Sequence, residues 1–353
     1  MQRVAKALCL VVVLGLAVIG CDNLPGWVVP IRPTDGAIQL PKTGADDGGA
    51  GVAWPVPRFV DNGDGTVTDK LTGIMWTKDA NPSGKAMTMR EALDYVKTVN
   101  NGGHTDWRLP NRKELRSLCD FSKYDPALPE GHPFTNVQSL NYWSSTSYAG
   151  YADCAWVVDM YSAYFDVYIK ASYYYVWPVR YAGNGAIELP RTGQTTCYDE
   201  GANKIDCSGT GQDGELQAGA AWPSPRFDDN GDGTMTDKLT GLIWPKDANN
   251  RFRMTWNEAV LYVVKLNREN YLGKNDWRLP NINELESLIN AEEDSVDAWL
   301  NGQECGFTNV FMDYYWSSTY GAGGSRAAWI VDMGYGYAFS TYKTISNLVW
   351  PVR

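Results

Sequence analysis

Oxygen-bearing side chains recur on alternate residues at Asp228, Asn230 and Asp232, followed by Gly233. That is how the opening of an EF-hand loop presents ligands to calcium. A related run, NGDGTVTD, spans Asn62 to Asp69, but there Val60 stands at the first ligand position, and neither run has a glutamate at the twelfth. The NG and DG pairs also suit a tight hairpin, which is the first reading of both runs. Calcium on Asp228, Asn230 and Asp232 is the chemistry left open. YWSST, at Tyr142–Thr146 and again at Tyr315–Thr319, carries hydroxyls, yet the only histidines are His104 and His132, both before the second YWSST unit begins. No base therefore accompanies both copies of a would-be nucleophile. The serines read as turn residues beside core aromatics, and so few histidines argue against zinc and copper sites. Binding rather than catalysis is expected.

DWRLPN occurs at Asp106–Asn111 and Asp276–Asn281. Its proline holds the chain extended, its asparagine caps the helix that follows, and Arg108 and Arg278 are placed to reach a carboxylate. When the two copies are aligned, Cys119 and Cys154 fall opposite Ile289 and Ala327, so both are missing together from the second copy, as one bridge would require. Cys197 and Cys207 bracket CYDEGANKIDC and would close it as a second bridge; Cys305 is left odd and reads as an inert thiol. The copies diverge most after the matched WVVDM and WIVDM. Tyr161, Tyr164 and Tyr168 in the first, and Tyr335, Tyr337 and Tyr342 in the second, are candidates to stack on sugars or dock a protein. The plainer alternative is strand packing.

The elements that must position these groups are themselves duplicated. Arg58–Arg180 and Arg226–Arg353 are two copies of a unit running from PRF to VWPVR. Turn pairs among apolar residues predict a β-meander. Thr88 with Glu91, and Thr255 with Glu258, have capping-box spacing and open a first helix; Asn111 with Glu114, and Asn281 with Glu284, open a second. Strands follow through YWSST, AWVVDM and VWPVR. GAIQLPKTG (Gly36 to Gly44) recurs as GAIELPRTG (Gly185 to Gly193), which predicts a strap docked on a domain rather than a free linker. The organisation expected is a signal peptide at 1–20, a Gly/Pro-rich tether at 21–57, repeat domains at 58–180 and 226–353, and a repeated linker with a disulfide loop at 181–225. Each copy is long enough for its own core, and separate cores are preferred to one fused core.

Arg3 and Lys6 precede an apolar run that is too short and early for an ordinary spanning helix, and Val18-Ile19-Gly20-Cys21 looks like a bacterial lipobox. That resemblance implies cleavage before Cys21 and lipid on its thiol and amine, anchoring the chain to a bacterial envelope membrane. Without residues 1–20, 29 basic side chains stand against 41 acidic ones, a formal charge of −12. Nucleic acid is thereby disfavoured as a partner.

NGDGTVTDKLTGIMW, TDWRLPNRKELRSL, YWSST, AWVVDM and VWPVR, with their second versions, resemble a family of bacterial surface domains named for the C-terminal domain of the Legionella collagen-like adhesin. The WRLPN-to-helix step followed by WSS is also similar to the formylglycine-generating and C-type-lectin-like group. Together these resemblances imply an α+β fold of two tandem C-type-lectin-like domains, each with a β-meander, two helices and a twisted antiparallel sheet. They imply surface attachment to a glycan or to an envelope or extracellular protein. The copper-binding cysteine pair of the formylglycine-generating enzymes has no counterpart, so the resemblance does not extend to their activity. The alternatives are a structural envelope scaffold and, less favoured, an envelope enzyme of the formylglycine-generating-like group.

Overall fold

Paired glycines shape the start of each copy. β1 (Phe59–Asp61), β2 (Thr66–Asp69) and β3 (Ile74–Thr77) form an antiparallel meander with Phe59 opposite Asp69 and Thr66 opposite Thr77. Gly63 and Gly65 hold φ of +79° and +89°, a region side chains disfavour. α1 (Met89–Val96) and α2 (Arg112–Ser117) follow, and Thr88–Glu91 and Asn111–Glu114 form the expected capping boxes. β4 (Asn141–Ser147), β5 (Cys154–Asp159), β6 (Phe165–Ile169) and β7 (Val179–Tyr181) complete the copy, with β7 returning beside β3. The linker contributes β8 (Cys197–Tyr198), β9 (Lys204–Ile205) and α3 (Asp213–Leu216). The second copy repeats the plan with β10 (Phe227–Asp229), β11 (Thr234–Asp237), β12 (Ile243–Pro245), α4 (Trp256–Arg268) and α5 (Ile282–Ser287). It adds α6 (Val296–Leu300) before β13 (Tyr314–Tyr320), β14 (Ala327–Asp332) and β15 (Ala338–Tyr342). The fold is mixed α and β with antiparallel sheets.

This computed structural model describes residues 37–45, 50–248, 252–322 and 326–353. Cys21 and the predicted signal peptide lie outside the described residues. Among the described residues no helix is long and apolar enough to cross a membrane.

Each copy keeps a smaller core of its own around its first helix, but the largest core is shared. Ala338 of β15 pairs with Phe165 of β6, so the two three-stranded sheets join edge to edge in the order β13-β14-β15-β6-β5-β4. One continuous core then runs through both, including Trp76, Trp156 and Trp177 of the first copy and Trp244, Trp329 and Trp350 of the second. The physical reason is that β6 and β15 would otherwise be open edges beside a large aromatic face, and pairing them removes both exposures at once.

The repeated straps act at this junction. The first lays its Ile38 amide on the Leu239 carbonyl of the second copy, then gives its Thr43 carbonyl to Phe121 of the first. The second strap does the reverse: its Ile187 amide bonds to Leu71 of the first copy and its Thr192 carbonyl accepts from Ala291 of the second. Each strap therefore crosses from one copy to the other, which is more than the single-domain docking its composition suggests.

Two local readings need correction. The YWSST serines lie inside β4 and β13, beside a break in register, rather than in a turn; Ser144 and Ser317 donate to the Trp156 and Trp329 carbonyls at 2.8 Å. Cys197 and Cys207 are bridged, but Cys119 and Cys154 are free thiols. Cys119 is buried just past the end of α2, whereas Cys154 opens β5 and is partly exposed, and the two sulfurs are not joined. Burial pushes the Cys119 thiol up to about 12 and Cys154 to about 11.

Candidate functional site

The candidate ligand tyrosines divide into two groups. Tyr164 and Tyr337 occupy equivalent positions and are used up in joining the copies. Tyr164 packs edge-on to Trp329 at 5.4 Å and its hydroxyl lies 2.7 Å from Ser340 Oγ, while Tyr337 packs on Trp156 at 5.4 Å. Tyr168 is half-buried against Tyr174 at 4.9 Å. Of the six, Tyr161, Tyr335 and Tyr342 are exposed, at 46%, 41% and 67%. Tyr164 and Tyr337 face the other copy, which leaves Tyr161, Tyr335 and Tyr342 as the members open to a ligand.

Asp228, Asn230 and Asp232 sit at the tip of the second meander. Asp228 pairs with Lys238 at 3.1 Å, Asn230 bonds Thr234 and Thr236, and Asp232 accepts both the amide and the hydroxyl of Thr234 while facing Lys274 at 3.4 Å. Lysine ammonium groups thus stand against the carboxylates that calcium would need. Among the described residues no group of three or more His, Cys, Asp or Glu is placed to hold a metal ion. Arg108 and Arg278 each grip the helix-capping carboxylate, Glu114 or Glu284, through two bonds of 2.6–2.7 Å. Cys305 is buried, its thiol pushed up to about 12 by desolvation.

A different site emerges where the copies are unlike. Ten residues lie between Pro41 and Val52 in the first strap but twenty-nine between the matching Pro190 and Ala220 in the second. The extra chain is the disulfide loop and α3, and it covers α1 and the end of β4. Lys97 donates to Gly209 O at 2.8 Å, Lys170 to Tyr198 O at 3.0 Å, and Gln194 and Gln212 bond Ser147. The matching face of the second copy is a groove of about 360 Å³ walled by Trp256, Val260, Val263, Val264, Trp277 and Tyr320. Among the described strap residues, Ala50 reaches its rim.

Sequence differences match this exposure. Leu261 and Val264 are 67% and 49% exposed on α4, at the positions that Asp94 and Lys97 fill on α1. Lys343, the counterpart of Lys170, lies 4.0 Å from the Trp256 ring centre and 3.7 Å from that of Tyr320. Partial burial holds its ammonium below the ordinary lysine value. Ser318 lines the groove with a buried Oγ that has no hydrogen-bond partner. An apolar wall, a cation and an unused hydroxyl can hold a segment with an apolar face and carbonyl oxygens. Within-copy motifs did not point here; the available signal was apolar Leu261 and Val264 on the outward side of a helix whose counterpart is charged there.

These features define a duplicated α+β module fused through a common sheet, with a groove on the second copy left open by the described residues. The model of the Lcl C-terminal domain matches residues 65–180 and again 233–353, and the chain belongs to that family. No curated protein matches the chain.

Proposed function

We propose that this chain is a lipid-anchored lipoprotein of the bacterial cell envelope that binds a ligand without catalysis. The ligand is a segment of an envelope or extracellular protein seated in the groove on the second copy, and each copy is read as lectin-like. One observation carries the reading: among the described residues, the protein covers this face with its own chain in the first copy and leaves it open in the second. Apolar residues stand at the positions that would otherwise be charged. The filler of the first groove offers carbonyls to Lys170; the counterpart Lys343 instead rests against the Trp256 and Tyr320 rings, and Ser318 Oγ beside it has no hydrogen-bond partner. Calcium at Asp228, Asn230 and Asp232 is not needed for this.

A glycan ligand is the second reading, favoured by the Trp256 and Tyr320 rings with their rings 5.3 Å apart beside Lys343. A structural envelope role is favoured instead by the burial of Tyr164 and Tyr337 between copies. To separate them, a displayed peptide library and a glycan array are probed with the chain and with a Leu261→Asp/Val264→Lys variant, in calcium and in chelator. Apolar peptides that bind the chain and not the variant support the proposal. Sugars alone would transfer it to glycans, loss in chelator would restore a calcium role, and no selective binding would leave the scaffold.

A further inference from the structure

A second cavity lies at the junction of the copies, between the two straps, and it holds an ammonium with no hydrogen-bond partner among the described residues. It measures about 50 Å³ and is partly open, with Leu40, Trp54 and Pro190 on its apolar side. A single water needs only about 10–15 Å³, so several waters or one small molecule can be held. Lys113 and Arg116 line it from α2, and Glu286 is the one carboxylate that does so.

Lys113 is 8% exposed, and its Nζ is buried with no hydrogen-bond partner. Its ammonium lies 5.9 Å from the Trp222 ring, and Glu286 and Asp237 favour its charge without hydrogen-bonding it. Arg116 spends its charge on Glu286 at 3.0 Å and leaves Nε and Nη2 without acceptors. Arg112 shares Glu286 at 3.4 Å and donates to Gly336 O at 2.8 Å. On the far side Asp213 faces Arg112 but spends its Oδ2 on Thr146 and Thr192, and Arg226 is closed on Asp237. Three cations therefore stand against two carboxylates, and the surplus rests on Lys113. An unpaired buried ammonium costs several kcal/mol, so the group either loses its proton or gains an anion.

We propose that this cavity binds a small monovalent carboxylate, its oxygens on Lys113 Nζ and the free edge of Arg116 and its carbon tail against Leu40, Trp54 and Pro190. Glu286 on the wall disfavours a dianion, and the apolar side favours a carboxylate with a short tail over chloride. Desolvation lowers Lys113 to about 7 in the empty site, with Glu286 opposing and Arg226 and Arg112 assisting. Binding at pH 8 therefore takes up a proton, and affinity falls as pH rises through that value. Asn283, at the matching position of the second copy, lines the same cavity and donates to Pro41 O at 3.0 Å, so the cavity carries one lysine rather than two.

The test is calorimetric titration of the full chain in detergent with acetate, chloride and inorganic phosphate at pH 6.5 and 8.5. Lys113→Met, which removes the buried charge while keeping the volume, and Leu40→Trp, which fills the cavity, are measured beside it. Saturable acetate binding, roughly millimolar for so small a ligand, is expected at pH 6.5. It should weaken at least about tenfold at pH 8.5 and in either variant. Three results overturn the proposal: unchanged acetate binding in Lys113→Met, phosphate or chloride binding as tightly as acetate, or no saturation up to about 100 mM.

Discussion

Arg116 and Glu286 occupy the same position in the two copies and bind each other across the junction, Nη1 to Oε2 at 3.0 Å, both nearly inaccessible to solvent. Two identical copies would bring like charges together here. The reversal makes this pairing self-consistent only between unlike copies, and it also supplies the partner of Arg112, which lies 3.7 Å over the Trp156 ring.

Removing Glu286 strands two buried guanidinium groups. Glu286→Ala should cost about 3–5 kcal/mol, read as a fall in the urea midpoint. A double-mutant cycle with Arg116→Met should show coupling of about 1–3 kcal/mol. Additive effects would mean the pair is not coupled. Because the core is shared, near- and far-UV signals should also lose structure in one transition.

The tyrosines that join the copies should behave unlike the exposed ones. Tyr164→Phe loses the contact with Ser340 and should cost about 1 kcal/mol, and Tyr164→Ala roughly 3–5 kcal/mol. Tyr161→Ala and Tyr342→Ala should stay within about 0.5 kcal/mol. Thermal melts of the four variants decide it, and equal losses at Tyr164 and Tyr342 would contradict the burial seen here.

What sequence could reveal follows the range of the contacts. Capping boxes at Thr88–Glu91 and Asn111–Glu114 are closed within four residues, and the hairpin at Asn62 within a few more, so local chemistry fixes them and both copies repeat them. The Arg108–Glu114 clamp is similarly short. Tyr164–Trp329 and Arg112–Gly336 connect different copies, and their meaning depends on an edge pairing, β6 with β15, that no local pattern specifies. Cys119 and Cys154 misled for a related reason: joint absence from the second copy is also what separate packing changes produce. Ile289 and Ala327 replace them as ordinary core and strand residues. The charge reversal at Arg116 and Glu286 was visible in the aligned copies and was the one available hint of the junction.

Thiol chemistry follows from the observed pairing. Native protein should react with Ellman's reagent slowly and only at partly exposed Cys154, while Cys119 and Cys305 become reactive on unfolding. Peptide mapping should find Cys197 bound to Cys207. Cys197→Ser/Cys207→Ser removes a loop closure worth about 2–3 kcal/mol, and should expose α1 to proteolysis through loss of the cover that Lys97 and Lys170 hold. A Cys119–Cys154 crosslink in the mapped peptides would refute the assignment of free thiols.

Asp213 makes stability depend on pH in a direction opposite to carboxylates held below their ordinary value. It is buried, its Oδ2 accepts from Thr146 and Thr192 at 2.7 Å, and its Oδ1 has no partner. Desolvation outweighs those bonds and raises it to about 6, against about 3.9 when unfolded. The folded chain therefore holds this proton more tightly than the unfolded chain. Its contribution is fully present below about pH 4 and is lost as pH rises through 6, a change of about 3 kcal/mol at most. Carboxylates with lowered values, such as Asp106 beside Arg180, act oppositely and at lower pH. Comparison with Asp213→Asn isolates the effect. The variant, unable to ionise there, should gain on the parent between pH 4 and 7 in urea titrations. A constant difference across that window would show that Asp213 titrates normally.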